Sequence, residues 1–312
     1  MKKRNSFGYL LFSILCFLLL FICNCAGMAA SAEEYFSIGM AYFDLGRFEE
    51  AERWLNRARQ ADRTMVASTY NLGRLAFERR RYNEAARHFE SILKQDPDNV
   101  LALRAAAYTR IASGEIDIAD IHYSRLLALV PESSDDGYNH ALVLFAMERY
   151  SLAQEVLEKY PFALLDSKDP KLLYARILAA QDKIEAINAF SEWLSLYSDP
   201  KARYEYAQVL ERHEFYARAL EEYRLSLSQS GPSQTDLDRN NIRFAIARTL
   251  LIADSESSEG VSELESAIHN GFNNVEAIEE LLNDGRISAN NAAALRAILN
   301  NLNKAQEEET GR

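Results

Sequence analysis

Cysteine is confined to one end of the chain. Cys16, Cys23 and Cys25 are its three occurrences in 312 residues. The rest therefore has no disulfide framework, no thiol nucleophile and no thiolate for a structural zinc. Proline is scarce at six residues, and the 12 glycines are too dispersed to form a phosphate-cradling loop. No run alternates apolar and polar residues between turn signals, so half-buried strands are not expected. Basic residues number 35 against 46 acidic, a net charge of −11. That excludes the concentrated basic face a nucleic-acid partner needs and disfavours electrostatic docking on an anionic bilayer.

The usual catalytic constellations are missing too. The five histidines are His88, His122, His140, His213 and His269, and no two stand at i, i+4. No serine occupies a strained nucleophile turn. No metal, cofactor or catalytic residue is expected, and the chain reads as a non-enzyme. Acidic pairs such as Glu49-Glu50 and Glu221-Glu222 read as solvated helix surface, and the basic triplet Arg79-Arg80-Arg81 reads as a short turn carrying inter-helix surface charge, with a local docking patch as the alternative.

What is present in quantity is helix-forming: alanine, leucine, glutamate and arginine dominate, and 48% of the residues are hydrophobic. An all-α chain with a sizeable core is expected. Residues 1–32 form an address. Lys2, Lys3 and Arg4 precede an apolar run from Tyr9 to Cys23, too short for a comfortable membrane span. Two readings compete for the residues at the end of this run and just beyond it. Ala30-Ser31-Ala32 fits the small-x-small pattern of ordinary signal cleavage, leaving Glu33 as the new terminus. Ile22-Cys23-Asn24-Cys25 before Ala26-Gly27 resembles a relaxed bacterial lipobox, with Cys25 as the lipidated residue and Asn24 departing from the usual small residue. An uncleaved anchor is a third option. All three export the body to the periplasm or cell envelope, with any membrane contact made through this N-terminal lipid or anchor.

The strongest signal is a period of 34. Ile38-Gly39 aligns with Leu72-Gly73 and Ala106-Ala107; Phe48 with Tyr82, Ile116 and Tyr150; Ala51 with Ala85, Ala119 and Ala153; Leu55 with Phe89, Tyr123 and Leu157. His88 and His122 fall in the column of Trp54. Two weaker copies come after these, one with Ala186 and Phe190, the other with Ala207, Tyr216, Ala219 and Tyr223. Small residues let one backbone approach another, and bulky ones in a neighbouring column fill the space between units. One such unit cannot bury its apolar face alone, so stability must come from stacking neighbours.

These columns, cleanest in "YFSIGMAYFDLGRFEEAERWLNRA" at 35–58 and "YNLGRLAFERRRYNEAARHFESILKQDP" at 70–97, resemble the tetratricopeptide repeat. The resemblance covers about 32–230. It implies a solenoid of helical hairpins, a right-handed superhelix of about six units over 33–230. Residues 231–312 then supply a degenerate repeat and a helical cap. One long helix is expected over 235–254, a second over 261–269, two more over 275–282 and 289–302, and a frayed tail after Gln306.

The resemblance also implies a concave groove lined by the first helix of each unit. Carried over by position, its lining is Phe36, Phe43, Tyr70, Phe77, Tyr108, Tyr138, Phe145 and Tyr204. Asn71 and Asn139 stand where family members hold a peptide backbone. The family's clamp for a C-terminal carboxylate is not reproduced: Phe36, Met40, Asn71, Leu101 and Ala105 occupy its positions, and only the Asn matches. The groove thus reads as more apolar than charged. The functions compatible with this pattern are a scaffold binding a protein or peptide, an assembly subunit that oligomerises through its convex face or C-terminal helices, and a small-molecule-binding partner of a transporter. Partner identity and oligomeric state are not encoded in the pattern.

Overall fold

The computed structural model describes residues 30–160, 168–231 and 237–310, with side chains as far as Lys304. Among the described residues there are sixteen α-helices and no strand. They form two compact units, the first closing at Pro131 and the second opening at Glu132.

The first unit holds α1 (Ala32–Asp44), α2 (Phe48–Ala61), α3 (Val66–Glu78), α4 (Tyr82–Leu93), α5 (Val100–Ala112) and α6 (Ile116–Leu129). They pair as three successive hairpins, and each second helix packs on the first helix of the next. The second unit continues with α7 (Ser134–Ala146), α8 (Tyr150–Lys159), α9 (Lys168–Ala180), α10 (Glu185–Leu196), α11 (Pro200–Arg212) and α12 (Tyr216–Gln229). It ends with α13 (Arg239–Ala253), α14 (Ser258–His269), α15 (Val275–Leu282) and α16 (Ala289–Thr310). Here too the hairpins pair in sequence order, and α16 returns onto α14. Position 230/231, where the repeat pattern fades, lies inside this unit.

Capping side chains set where many of these helices begin. Ser31, Asn99, Ser133, Asp199, Asp238, Ser257 and Asn274 each cap a helix by accepting a backbone N–H with the side chain. Ser31 and Glu34 complete a reciprocal capping box on α1. Because Asp238 is the cap, α13 starts at Arg239 rather than at 235 as the pattern suggests. At the other end, α16 runs to Thr310, beyond the expected fraying point at Gln306.

Most first helices stop at a residue in the left-handed region. Gly46, Arg80, Gly114, Glu148 and Asp182 have φ of 71°, 57°, 80°, 58° and 54°, and they recur every 34 residues; Glu214, at 63°, comes after 32. The next N–H then reaches back five residues, as in Arg81 to Ala76 (2.8 Å) and Glu115 to Arg110 (2.8 Å). This closing turn reverses the chain into the second helix.

The hairpins close where one backbone is bare. A methyl group placed on Gly39 would stand 2.9 Å from Leu55, and one on Gly73 would stand 2.7 Å from the Phe89 ring. The bulky residue therefore seats on the glycine of its own hairpin. It also reaches the next one, since Leu55 clusters with Leu72 and Leu75, and Phe89 with Ala106. The expected filling between neighbours is thus half of its role. In α13–α14 the polarity is reversed: the glycine, Gly260, is on the second helix, and the first helix supplies Leu251 at 2.6 Å from the built methyl.

A polar clasp repeats beside this seam. Arg79 and Arg81 donate to Glu52 of the preceding hairpin at 2.9 and 3.0 Å. Three periods later, Gln181 and Lys183 donate to Gln154 at 2.9 and 2.7 Å, with the same sequence separations of 27 and 29. The Arg79-Arg80-Arg81 turn is therefore inter-hairpin structure.

Two glycine substitutions separate the two constraints. Gly73→Ala should destabilise the chain by about 1–3 kcal/mol through overpacking, and Phe89→Leu should recover part of that loss. Gly114→Ala meets no atom within 4 Å, yet should lose roughly 1 kcal/mol through its left-handed backbone and should not respond to Phe89→Leu. Chemical denaturation of the single variants and their combinations with Phe89→Leu reads both. A neutral Gly73→Ala would refute the seam.

Candidate functional site

The first helices of the first unit carry a row of aromatic and cationic contacts. Phe43 of α1 lies under the Arg74 guanidinium of α3 at 5.0 Å. One turn along α3, Phe77 meets Tyr108 of α5 with ring centroids 5.3 Å apart. Phe77 also packs on Tyr82, and Tyr70 on Phe89, at 5.3 and 5.5 Å. Phe36 and Phe43 rest on the cluster of Ala51, Leu55, Leu72 and Leu75. Of the residues expected to line a groove here, Phe36, Phe43, Tyr70 and Phe77 are half-buried packing residues. Tyr108 is 56% exposed, and Leu101, two turns earlier on α5, is 58% exposed.

Asn71 is only 7% exposed. Its amide donates to the Ala67 carbonyl at 2.9 Å, and its oxygen accepts from Arg74 at 3.0 Å. The local helix thus satisfies it and uses it to aim Arg74.

In the second unit, Tyr138, Asn139 and Phe145 lie half-buried on α7, with Phe145 packed on Tyr150 at 5.4 Å. Burial pushes the Tyr138 hydroxyl above its usual value. Tyr204 of α11 packs against Tyr223 at 5.4 Å and is raised by burial likewise. Cys25 lies outside the described residues.

The second unit also contains a cleft that no repeat column announces. It has a volume of about 570 Å³ and lies between the C-terminal halves of α11 and α13, α15, and the loop to α16. Its floor holds a charged pair: Arg248 donates to Glu211 through Nε at 2.9 Å and Nη2 at 2.5 Å, and the Tyr223 hydroxyl donates to the same carboxylate at 2.8 Å. Burial and the adjacent carboxylate push Tyr223 well above its ordinary value. For Arg248, burial acts downward, but the hydrogen bonds and charge of Glu211 prevail and raise it. At the rim, Arg286 grips Asp284 through two bonds of 2.9 and 2.6 Å and donates to the Tyr216 hydroxyl, 70 residues earlier, at 2.9 Å. The Arg286 bond holds the Asp284 carboxyl down to about 2. Phe244, Ile252 and Leu281 supply apolar lining. This stretch is charged, and none of the residues expected to line an apolar groove is among those that line it. The signal was faint: Gln208 and Arg248 occupy first-helix positions, but the rim residue Arg286 comes from a loop with no repeat register.

The histidines stay in the architecture. Burial depresses His88 and His122 below the usual imidazole value, in the second helices α4 and α6. Among the described residues no group of three or more His, Cys, Asp or Glu side chains converges as a metal site.

Residues 32–64 and 76–139 match models of the tetratricopeptide repeat. An uncharacterised lipoprotein of Treponema pallidum (strain Nichols) is 24% identical over 184 residues, spanning 59% of this chain and 93% of that protein. Among solved structures, a tetratricopeptide repeat protein from Parabacteroides merdae superposes with a TM-score of 0.56 at 22% identity, over 80% of this chain and 96% of that one. YrrB, a tetratricopeptide protein with an unusual peptide-binding site, gives 0.51 at 16% identity over 62% of this chain and 96% of its own. With 34-residue hairpins seated glycine on bulky residue and stacked in order, the segments 32–64 and 76–139 of this chain are tetratricopeptide repeats.

Proposed function

We propose that the protein is a non-enzymatic scaffold of the bacterial cell envelope, and that the first-helix face of its first unit receives an apolar segment of a protein partner. Tetratricopeptide arrays act as a class in protein–protein interaction. The observation that carries the reading is on α5: Leu101 and Tyr108 are exposed on one helical face, and Tyr108 meets the half-buried Phe77 of α3. Exposed apolar residues that cluster are costly to keep in water and mark contact surfaces. Aromatic rings already fixed by their neighbours lose little entropy on binding. The peptide-binding site of YrrB supports a peptide-binding use of this fold. In the second unit, Tyr138, Asn139, Phe145 and Tyr204 are assigned the corresponding role, with Asn139 as the proposed backbone-holding amide; Asn71, buried and satisfied within its own helix, is left out of that role.

A photo-crosslinking residue at position 108, in intact cells, should capture a protein that the same residue at Arg87, exposed on α4, does not. Adding Leu101→Glu should abolish the capture while shifting stability by no more than about 0.5 kcal/mol, as for other surface changes. Equal capture from both positions, or capture that survives Leu101→Glu, contradicts the assignment.

The capping box on α1 bears on the N-terminus. Cleavage after Ala32 would remove Ser31, whose hydroxyl accepts the Glu34 N–H and whose own N–H is held by Glu34. Such a loss costs about 0.5–2 kcal/mol. Lipid attachment at Cys25 leaves the box intact, and the Treponema pallidum relative is a lipoprotein. We therefore assign an acylated Cys25 as the first residue of the mature protein. Mass spectrometry of the natural product should show a lipid-bearing N-terminal peptide starting at Cys25; a free terminus at Glu33 would contradict it.

A further inference from the structure

One cation on the first-helix face of the first unit is held in place without being neutralised. Arg74, on the middle first helix α3, is exposed. Its guanidinium lies over the Phe43 ring of α1 at 5.0 Å, and its Nη1 donates to the Asn71 side-chain oxygen at 3.0 Å. Asn71 is 7% exposed and is itself anchored by donating to the Ala67 carbonyl. A buried amide is thus spent on fixing an exposed charge. Arg110, Arg176, Arg203 and Arg248, also on first helices, each donate to a carboxylate of this chain. Among the described residues no carboxylate pairs with Arg74. Glu78 stands four residues on, at a spacing that permits a pair, yet Arg74 reaches back to Asn71 instead.

Stacking on Phe43 uses the face of the guanidinium, and Asn71 uses Nη1. The edge formed by Nε and Nη2 bonds to nothing among the described residues. That edge matches the two oxygens of a carboxylate. An apolar segment laid over this face would take water from a fixed positive charge, a cost that a carboxylate of its own offsets. Apolar residues stand on both neighbouring first helices, with the half-buried Phe36 and Met40 on α1 and the exposed Leu101 and Tyr108 on α5. A chain that ended in its carboxylate at Arg74 would cover only one of these sides.

We infer that the partner segment proposed for this face carries an aspartate or glutamate side chain, with apolar residues on both sides of it, that pairs with Arg74. The inference rests on that reading of the face. Asn71 acts as the positioning residue for Arg74.

Selection of displayed random heptapeptides on the full chain tests this, with one library embedded between linkers and a second ending in a free carboxylate. Embedded peptides should be enriched in Asp or Glu with apolar neighbours on both sides. Selection on Arg74→Gln should keep the apolar residues and lose the acidic one. In titration calorimetry the most enriched peptide should bind Arg74→Gln about tenfold more weakly than the parent, and its binding to the parent should weaken as salt is raised. Its analogue with the acid replaced by the amide should bind both proteins alike. Asn71→Ala should weaken the acidic peptide and not the amide one, a split that a merely structural role would not produce. Arg74 is exposed, so Arg74→Gln should melt as the parent does. Apolar peptides that lack an acid and are lost on Leu101→Glu would overturn the inference and leave the face intact. An acid enriched only at the free chain end would overturn it in favour of a terminal carboxylate. No enrichment, or enrichment indifferent to Leu101→Glu, would remove the face and the inference together.

Discussion

Two helix backbones meet closely at one point in a hairpin because one of them carries no side chain there. Gly39 under Leu55 and Gly73 under Phe89 are the cleanest cases. The bulky residue must shift from its seat if the bare position gains even a methyl group. It also cannot be lost without emptying the seam to the next hairpin, because Leu55 and Phe89 touch both. The turn that precedes it obeys a second constraint, a left-handed residue at fixed spacing. Together the seam and the turn set the crossing of each pair. The stacking of pairs then depends on what the bulky residues present to their neighbours. The Glu52 and Gln154 clasps reinforce the same register with polar groups.

This division of labour leaves the first helices free to differ at their open positions. In the first unit those positions are apolar and aromatic, culminating in the exposed Leu101 and Tyr108. In the second unit, around α11, α13 and α15, they are charged and arranged about two internally matched pairs. A scaffold built of similar hairpins can thus offer chemically different surfaces without altering its core. The seam repeats along the chain because geometry demands it, and the surface chemistry is under no such demand.

Much of this architecture was legible because it is periodic. Columns of small and bulky residues at a step of 34 betray themselves in one sequence. What escaped has a physical reason in each case. The turns at Arg80, Glu148, Asp182 and Glu214 adopt a glycine-like backbone without glycine, so residue type hid a period that the φ angles show plainly. The reversed seam of Gly260 and Leu251 keeps the small-on-large contact but exchanges the helices that supply it, which breaks the column. The aromatic columns were correctly placed on first helices, yet Phe36, Phe43 and Tyr70 divide their area between core and surface. The charged cleft needed Arg286 to reach Tyr216 across 70 residues, and no spacing rule connects them.

Each hairpin is held by its own seam and by its nearest neighbours, and by little else. Hydrogen–deuterium exchange on Phe89→Ala tests this directly. Protection should fall most in α3 and α4, less in α2 and α5, and least in the hairpin α13–α14. A uniform loss through every helix, or a loss confined to α4 alone, would contradict it.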